Sequence, residues 1–195
     1  LGAPKPIWFL SYEIEGPYWA IRNAYQEGLL EVDDVLVDEV IKNALDSDDI
    51  PAVRTTEQEA DIWDYTKDAI ESICRIARRE KLLGTIAIDT QSSLTSTVQE
   101  VEMEDIIKKR EAQGKDEPYM FDFGRPNKAF KRLFDHIRQT TSLNLIVTAH
   151  SKPVYNTKGA DTGRVEYSGS SRLREWVDVH GELWYEEPKR DSKDK

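Results

Sequence analysis

Three short apolar runs in this 195-residue chain each lead into a side chain capable of polar chemistry. Ile7-Trp8-Phe9-Leu10 runs into Ser11-Tyr12-Glu13, Thr85-Ile86-Ala87-Ile88 into Asp89-Thr90, and Leu145-Ile146-Val147 into Thr148-Ala149-His150. A carboxylate fixed at a strand tip can hold a divalent cation, and magnesium takes one or two carboxylates together with waters and substrate phosphates. Asp89 with Thr90 meets that need. Glu13 could then orient or deprotonate a water attacking a terminal phosphate, which asks for geometry more than for an unusual residue. His150, where a strand hands over to loop-like sequence, could hydrogen-bond that phosphate and pass its position into the loop. Each also has a plain structural reading: Asp89 as a turn or helix cap, Glu13 as a surface acid, His150 as a satisfied histidine. His136 and His180 read as structural outright.

The elements that must position these residues follow from periodicity. The run after Pro4-Lys5-Pro6 suits a buried strand with a rigid entry. Residues 57–81 place Ile62, Ala69, Ile70, Ile73, Cys74 and Ala77 three and four apart, after Thr55-Thr56 as caps, which predicts a long helix stopped by Gly84. A strand over Thr85–Asp89 follows at once, as in an α/β unit. Residues 94–113 predict a Glu- and Lys-rich helix broken at Gln113–Pro118, and a loop through Gly124-Arg125-Pro126-Asn127 comes next. Phe130, Leu133, Phe134 and Ile137 mark one face of a further helix, and Leu143–His150 reads as a central strand. Ser151–Gly169 reads as loop, Val179–Tyr185 as a last strand and 186–195 as a polar, disordered tail. The alternation predicts an α/β three-layer sandwich with a mostly parallel central sheet over residues 1–185, and in such sheets ligands bind at the carboxyl ends of the strands.

Composition narrows the class. An apolar content of 38% in 195 residues suits one domain with a full core. No stretch of 18 apolar residues and no charged-then-apolar leader is present, so a soluble, cytoplasmic chain without a membrane span is expected. One cysteine, Cys74, rules out an internal disulfide and a Cys-based zinc site, and reads as a buried helix residue. The net charge of −10 is uneven: residues 1–105 hold 9 Lys/Arg against 23 Asp/Glu, residues 106–195 hold 18 against 14. An acidic chain is a poor general nucleic-acid binder, yet its basic later half could present a local phosphate-facing surface.

Taken in order, Ile7–Glu13, Thr85–Thr90 and Leu145–His150 resemble three core strands of a RecA-like P-loop ATPase, closest to the phage-encoded AAA-type ATPases of which some act in single-strand annealing and recombination. The resemblance spans roughly residues 4–185. It implies that Asp89 matches the Walker B aspartate, which helps hold Mg²⁺ through water beside Thr90, and that Glu13 matches the glutamate that activates the attacking water. His150 falls where the family carries a polar γ-phosphate sensor, commonly Gln. Tyr18 or Trp19 falls near an aromatic that stacks on adenine, with core packing as the alternative. Lys152, Lys158, Arg164, Arg172 and Arg174 fall where the family contacts DNA or a neighbouring subunit. ATP and Mg²⁺ as cofactors, single-stranded DNA as a partner, a homo-oligomeric ring or filament, and the cytoplasm of a bacterial host follow from the resemblance alone.

One departure is large. The chain holds no G-x-x-x-x-G-K-[ST], the loop whose backbone N–H groups and lysine cradle the phosphates. The first residue is Leu1, and Leu1-Gly2-Ala3 resembles the tail of the helix that follows that loop, so an N-terminally incomplete core is expected, with weak ATP binding or none. A noncatalytic assembly or binding module that keeps the core is the alternative. A metal-dependent nuclease using Glu13, Asp89 and Asp122 is the second alternative.

Overall fold

The computed structural model describes residues 3–13, 18–31, 33–114, 124–155 and 161–167. Strand β1 (Ile7–Ser11) is followed by α1 (Tyr18–Gln26), β2 (Val35–Glu39), the short α2 (Val40–Leu45), α3 (Thr56–Glu80) and β3 (Thr85–Asp89). Then come α4 (Gln91–Glu111), α5 (Gly124–Thr140), β4 (Asn144–Val147) and a pair of strands, β5 (Ser151–Tyr155) and β6 (Asp161–Tyr167). The first four strands form a parallel sheet in the order β2-β1-β3-β4, with helices on both sides.

Alternation along the strands decides what each face meets. Trp8, Leu10 and Tyr12 share one face with Ile86 and Ile88, and all are buried in the main core with Leu145 and Val147 packed against it. That face is covered by Ile62, Ile70 and Ile73 of α3, Leu94 and Val98 of α4, and Phe130, Phe134 and Ile137 of α5. The step from β1 to β2 runs along the sheet against the steps to β3 and β4. With right-handed crossovers it sets α1 on the opposite face.

Helix α3 forms as its sequence predicts. Thr55 caps it: its hydroxyl accepts from the Gln58 N–H at 3.3 Å, and the Gln58 side chain accepts from the Thr55 N–H at 2.9 Å. Its buried residues include Ile62, Ile70, Ile73, Cys74 and Ala77, and Phe130, Leu133, Phe134 and Ile137 form the buried face of α5. The stop differs from expectation. Lys81 takes the left-handed cap conformation (φ 53°), while Gly84 serves packing: a Cβ there would stand 2.6 Å from the Pro6 carbonyl oxygen and 2.9 Å from the Trp8 ring.

Three further expectations are corrected. Helix α4 begins at Gln91 and not at 94, because Thr90 caps it by accepting the Ser93 N–H at 3.3 Å. The strand expected over Leu143–His150 is only Asn144–Val147, and among the described residues it lies at an edge of the sheet and not its centre. Part of the expected loop 151–169 is the antiparallel pair β5–β6, in which Ser151 stands opposite Tyr167 and the register shifts between Pro153 and Tyr155. The strand expected at Val179–Tyr185 and the tail 186–195 lie outside the described residues. No helix among the described residues is long and apolar enough to cross a membrane.

Candidate functional site

Parallel pairing in register brings the ends of β1, β3 and β4 to one rim. Ser11 stands beside Asp89, and Ile88 beside Val147, so Glu13, Asp89-Thr90 and Thr148–His150 leave the sheet together. Backbone hydrogen bonds extend the sheet past the strand ends: Tyr12 N–H donates to Asp89 O at 2.6 Å, Thr148 N–H to Ile88 O at 3.0 Å, and Gln91 N–H to Thr148 O at 2.8 Å. The Asp89–Thr90 peptide bond is cis. Ser11 is buried, and its hydroxyl contacts the Glu13 backbone, donating to Glu13 O at 3.3 Å.

Glu13 is the hub. Its Oε1 accepts from Thr90 Oγ1 and Ser93 Oγ, each at 3.1 Å, and lies 3.3 Å from His150 Nε2. Those two hydroxyls belong to the N-cap and first turn of α4, where unpaired N–H groups and the helix dipole favour negative charge. His150 is fixed from its backbone as well, its N–H donating to Ser92 Oγ at 3.0 Å. Asp89 is held separately: Thr148 Oγ1 donates to Asp89 Oδ1. The resulting cluster is two carboxylates, an imidazole and the hydroxyls of Thr90, Ser92, Ser93 and Thr148 at the mouth of a parallel sheet.

The donor set fits magnesium in kind. Carboxylate and hydroxyl oxygens are hard ligands, and Mg²⁺ needs only one or two carboxylates when phosphates supply the rest. No group of three or more His, Cys, Asp or Glu side chains among the described residues is arranged to hold a metal by itself, so Asp89 would hold such an ion only with a ligand's help.

The structure therefore brings Glu13, Asp89, Thr90 and His150 together. It adds Ser93 and Thr148, to which sequence reasoning gave no role; their signals were the position three residues past the Thr90 cap and the step immediately after β4. Tyr18 and Trp19 open α1, but their side chains lie outside the described set. Lys152 is exposed on β5, with Glu166 opposite it in the register, and Arg164 lies on β6. Lys158, Arg172, Arg174, Asp122 and His180 lie outside the described residues. His136, on α5, stands with Nε2 2.6 Å from Glu71 Oε2 of α3.

No family model, no curated protein and no solved structure matches this chain.

Proposed function

We propose that this chain forms a RecA-like nucleotide-hydrolysing core that acts on DNA, with the rim formed by Glu13, Asp89 and His150 as its phosphate-facing site. The observation that carries the reading is the convergence of those three side chains at the carboxyl ends of adjacent parallel strands, where α/β sheets bind ligands. Bound Mg²⁺ would neutralise charge on the phosphates of ATP. Asp89, oriented by Thr148, would take that ion through water. Glu13, steadied by Thr90 and Ser93, would orient the attacking water, and His150 would report on the terminal phosphate through its contact with Glu13 and its place before β5. Single-stranded DNA and neighbouring subunits would meet the basic segment that includes Lys152 and Arg164.

A second reading rests on the missing G-x-x-x-x-G-K-[ST], without which the β- and γ-phosphates lose their main cradle. In it the core serves assembly or binding without hydrolysis. Magnesium-dependent ATP hydrolysis, measured on this chain and on the longest product of its gene, separates the two. The first reading expects activity in the longer product and a loss of about 100-fold or more in Asp89→Ala and Glu13→Gln, the scale of a lost positioning or acid–base group. Activity unchanged in both variants overturns it, and no hydrolysis in either product assigns the second.

A further inference from the structure

We infer that the groove between β2 and α3 is a docking site for a segment of another protein that presents one or two large apolar side chains beside a lysine or arginine. This site lies along the sheet edge away from β4 and does not depend on nucleotide chemistry. The groove encloses about 500 Å³, enough for side chains of that size. Trp8, Leu10 and Ile73 make its floor, all buried. Its walls are Leu36 on β2 and Ile76 on α3, which are 48% and 38% exposed, an unusual state for two large aliphatic side chains facing one hollow.

Charge selects the occupant. Among the described residues, the charged ones lining the groove are Asp38 and Asp68. Asp38 accepts hydrogen bonds from Asn43 at 2.7 Å and from Tyr65 at 3.1 Å, both neutral donors, so its charge stays uncompensated. Asp68 has no ion pair among the described residues. Nucleic acid and anionic ligands are repelled by this rim, and a cation flanked by apolar groups is attracted.

The edge itself limits the form of the partner. Ile7 N–H donates to Asp34 O, so Asp34 faces β1 and, by alternation, Val35 turns its carbonyl outward, where the Tyr25 hydroxyl already donates to it at 2.9 Å. A partner therefore inserts side chains between β2 and α3 instead of adding a full strand along β2.

Fluorescence anisotropy with a labelled ten-residue peptide of alternating Leu and Lys tests this, beside versions with Glu for Lys and with Ser for Leu. The Leu–Lys peptide should bind at low salt and the other two should not. Binding should weaken about tenfold or more in Leu36→Ser/Ile76→Ser and in Asp68→Lys, each tenfold corresponding to one lost good contact. These positions are solvent-facing, and unchanged circular dichroism confirms that the variants fold. The inference is overturned if the Leu–Lys peptide fails to bind, or if it binds the variants as well as the wild type. It is also overturned if sedimentation shows a wild-type dimer that Leu36→Ser dissolves, which gives the face to a second copy.

Discussion

At the amino end of the parallel sheet, Gly84 passes directly beneath Trp8 and Pro6, and Thr85, fully buried, donates from its hydroxyl to the Pro4 carbonyl at 2.8 Å. At the carboxyl end, Glu13, Asp89 and His150 stand at the surface or partly so; Glu13 contacts His150 and the hydroxyls of Thr90 and Ser93, and Asp89 is bonded by the Thr148 hydroxyl. The same strands thus finish in close packing at one end and in a cluster of polar groups at the other. Packing groups contribute to stability through lost water contact and exclusion of voids. Exposed polar clusters contribute little, so side chains kept there are free to serve a ligand. Substitutions at the two ends should therefore separate into large and small effects on stability.

The largest effect is expected at Gly84. Valine there would drive a Cβ to 2.6 Å from a backbone oxygen, a contact that only movement of β1's entry or of Trp8 relieves. Loss of about 3 kcal/mol is expected, the upper part of the range for overpacking, read as a lowered midpoint in urea. A loss below about 0.5 kcal/mol would mean that the amino end is loosely packed and the comparison fails.

Next comes Tyr12, which lies on β1's path between the core and the site. Its hydroxyl is buried and lies 2.9 Å from Thr66 Oγ1, and burial, with a smaller contribution from Asp38, pushes its pKa well above the ordinary tyrosine value. The folded state then holds this proton more tightly than the unfolded chain does. The neutral hydroxyl's contribution is fully present below about pH 10, the unfolded value, and stability falls above it by up to about 1.4 kcal/mol per pH unit. Tyr12→Phe should remove that alkaline slope while costing about 1 kcal/mol at neutral pH through the lost bond to Thr66, whose hydroxyl keeps its 2.8 Å bond to the Ile62 carbonyl. A slope above pH 10 that survives in the phenylalanine variant would place the alkaline sensitivity elsewhere.

Thr55→Ala probes the core side at a smaller scale. It removes the hydroxyl that accepts the Gln58 N–H, leaves the backbone half of the capping box on α3 in place, and should cost about 1 kcal/mol by thermal unfolding.

What was legible in the sequence divides along similar lines. Helix α3 could be read because its 25 residues carry a sustained period and a capping box, and α5 because four large apolar residues share one face. Strand β2, α1 and α2 fall in a stretch that predicted nothing. Each is short, and β2 leaves Leu36 exposed, so its alternation carries little signal. The pair β5–β6 was hidden because Asn156, Gly159, Asp161, Gly163 and Gly169 read as loop punctuation, of which Asp161 and Gly163 lie on β6, in a short two-stranded element with a register shift. Glu13, Asp89 and His150 stood out because each follows an apolar run. Their meeting depends on register between strands 59 to 137 residues apart, which no local pattern encodes.

The smallest effect, and the sharpest check on the comparison, is the Glu13–His150 contact. The two side chains are 35% and 62% exposed with 3.3 Å between Oε1 and Nε2, so water competes with the contact from both sides. A double-mutant cycle of Glu13→Gln and His150→Ala should return a coupling of about 0.2–1 kcal/mol, as for exposed pairs, with each single variant costing less than about 1 kcal/mol. Glutamine keeps the acceptor oxygen for Thr90 and Ser93 and removes only the charge, so the cycle reports the contact to His150 and not collapse of the α4 cap. A coupling above about 2 kcal/mol would mark the carboxyl end as part of the structural frame. The pair would then be holding the sheet and the start of β5 together, and its availability to a ligand would carry a stability cost that the exposed geometry argues against.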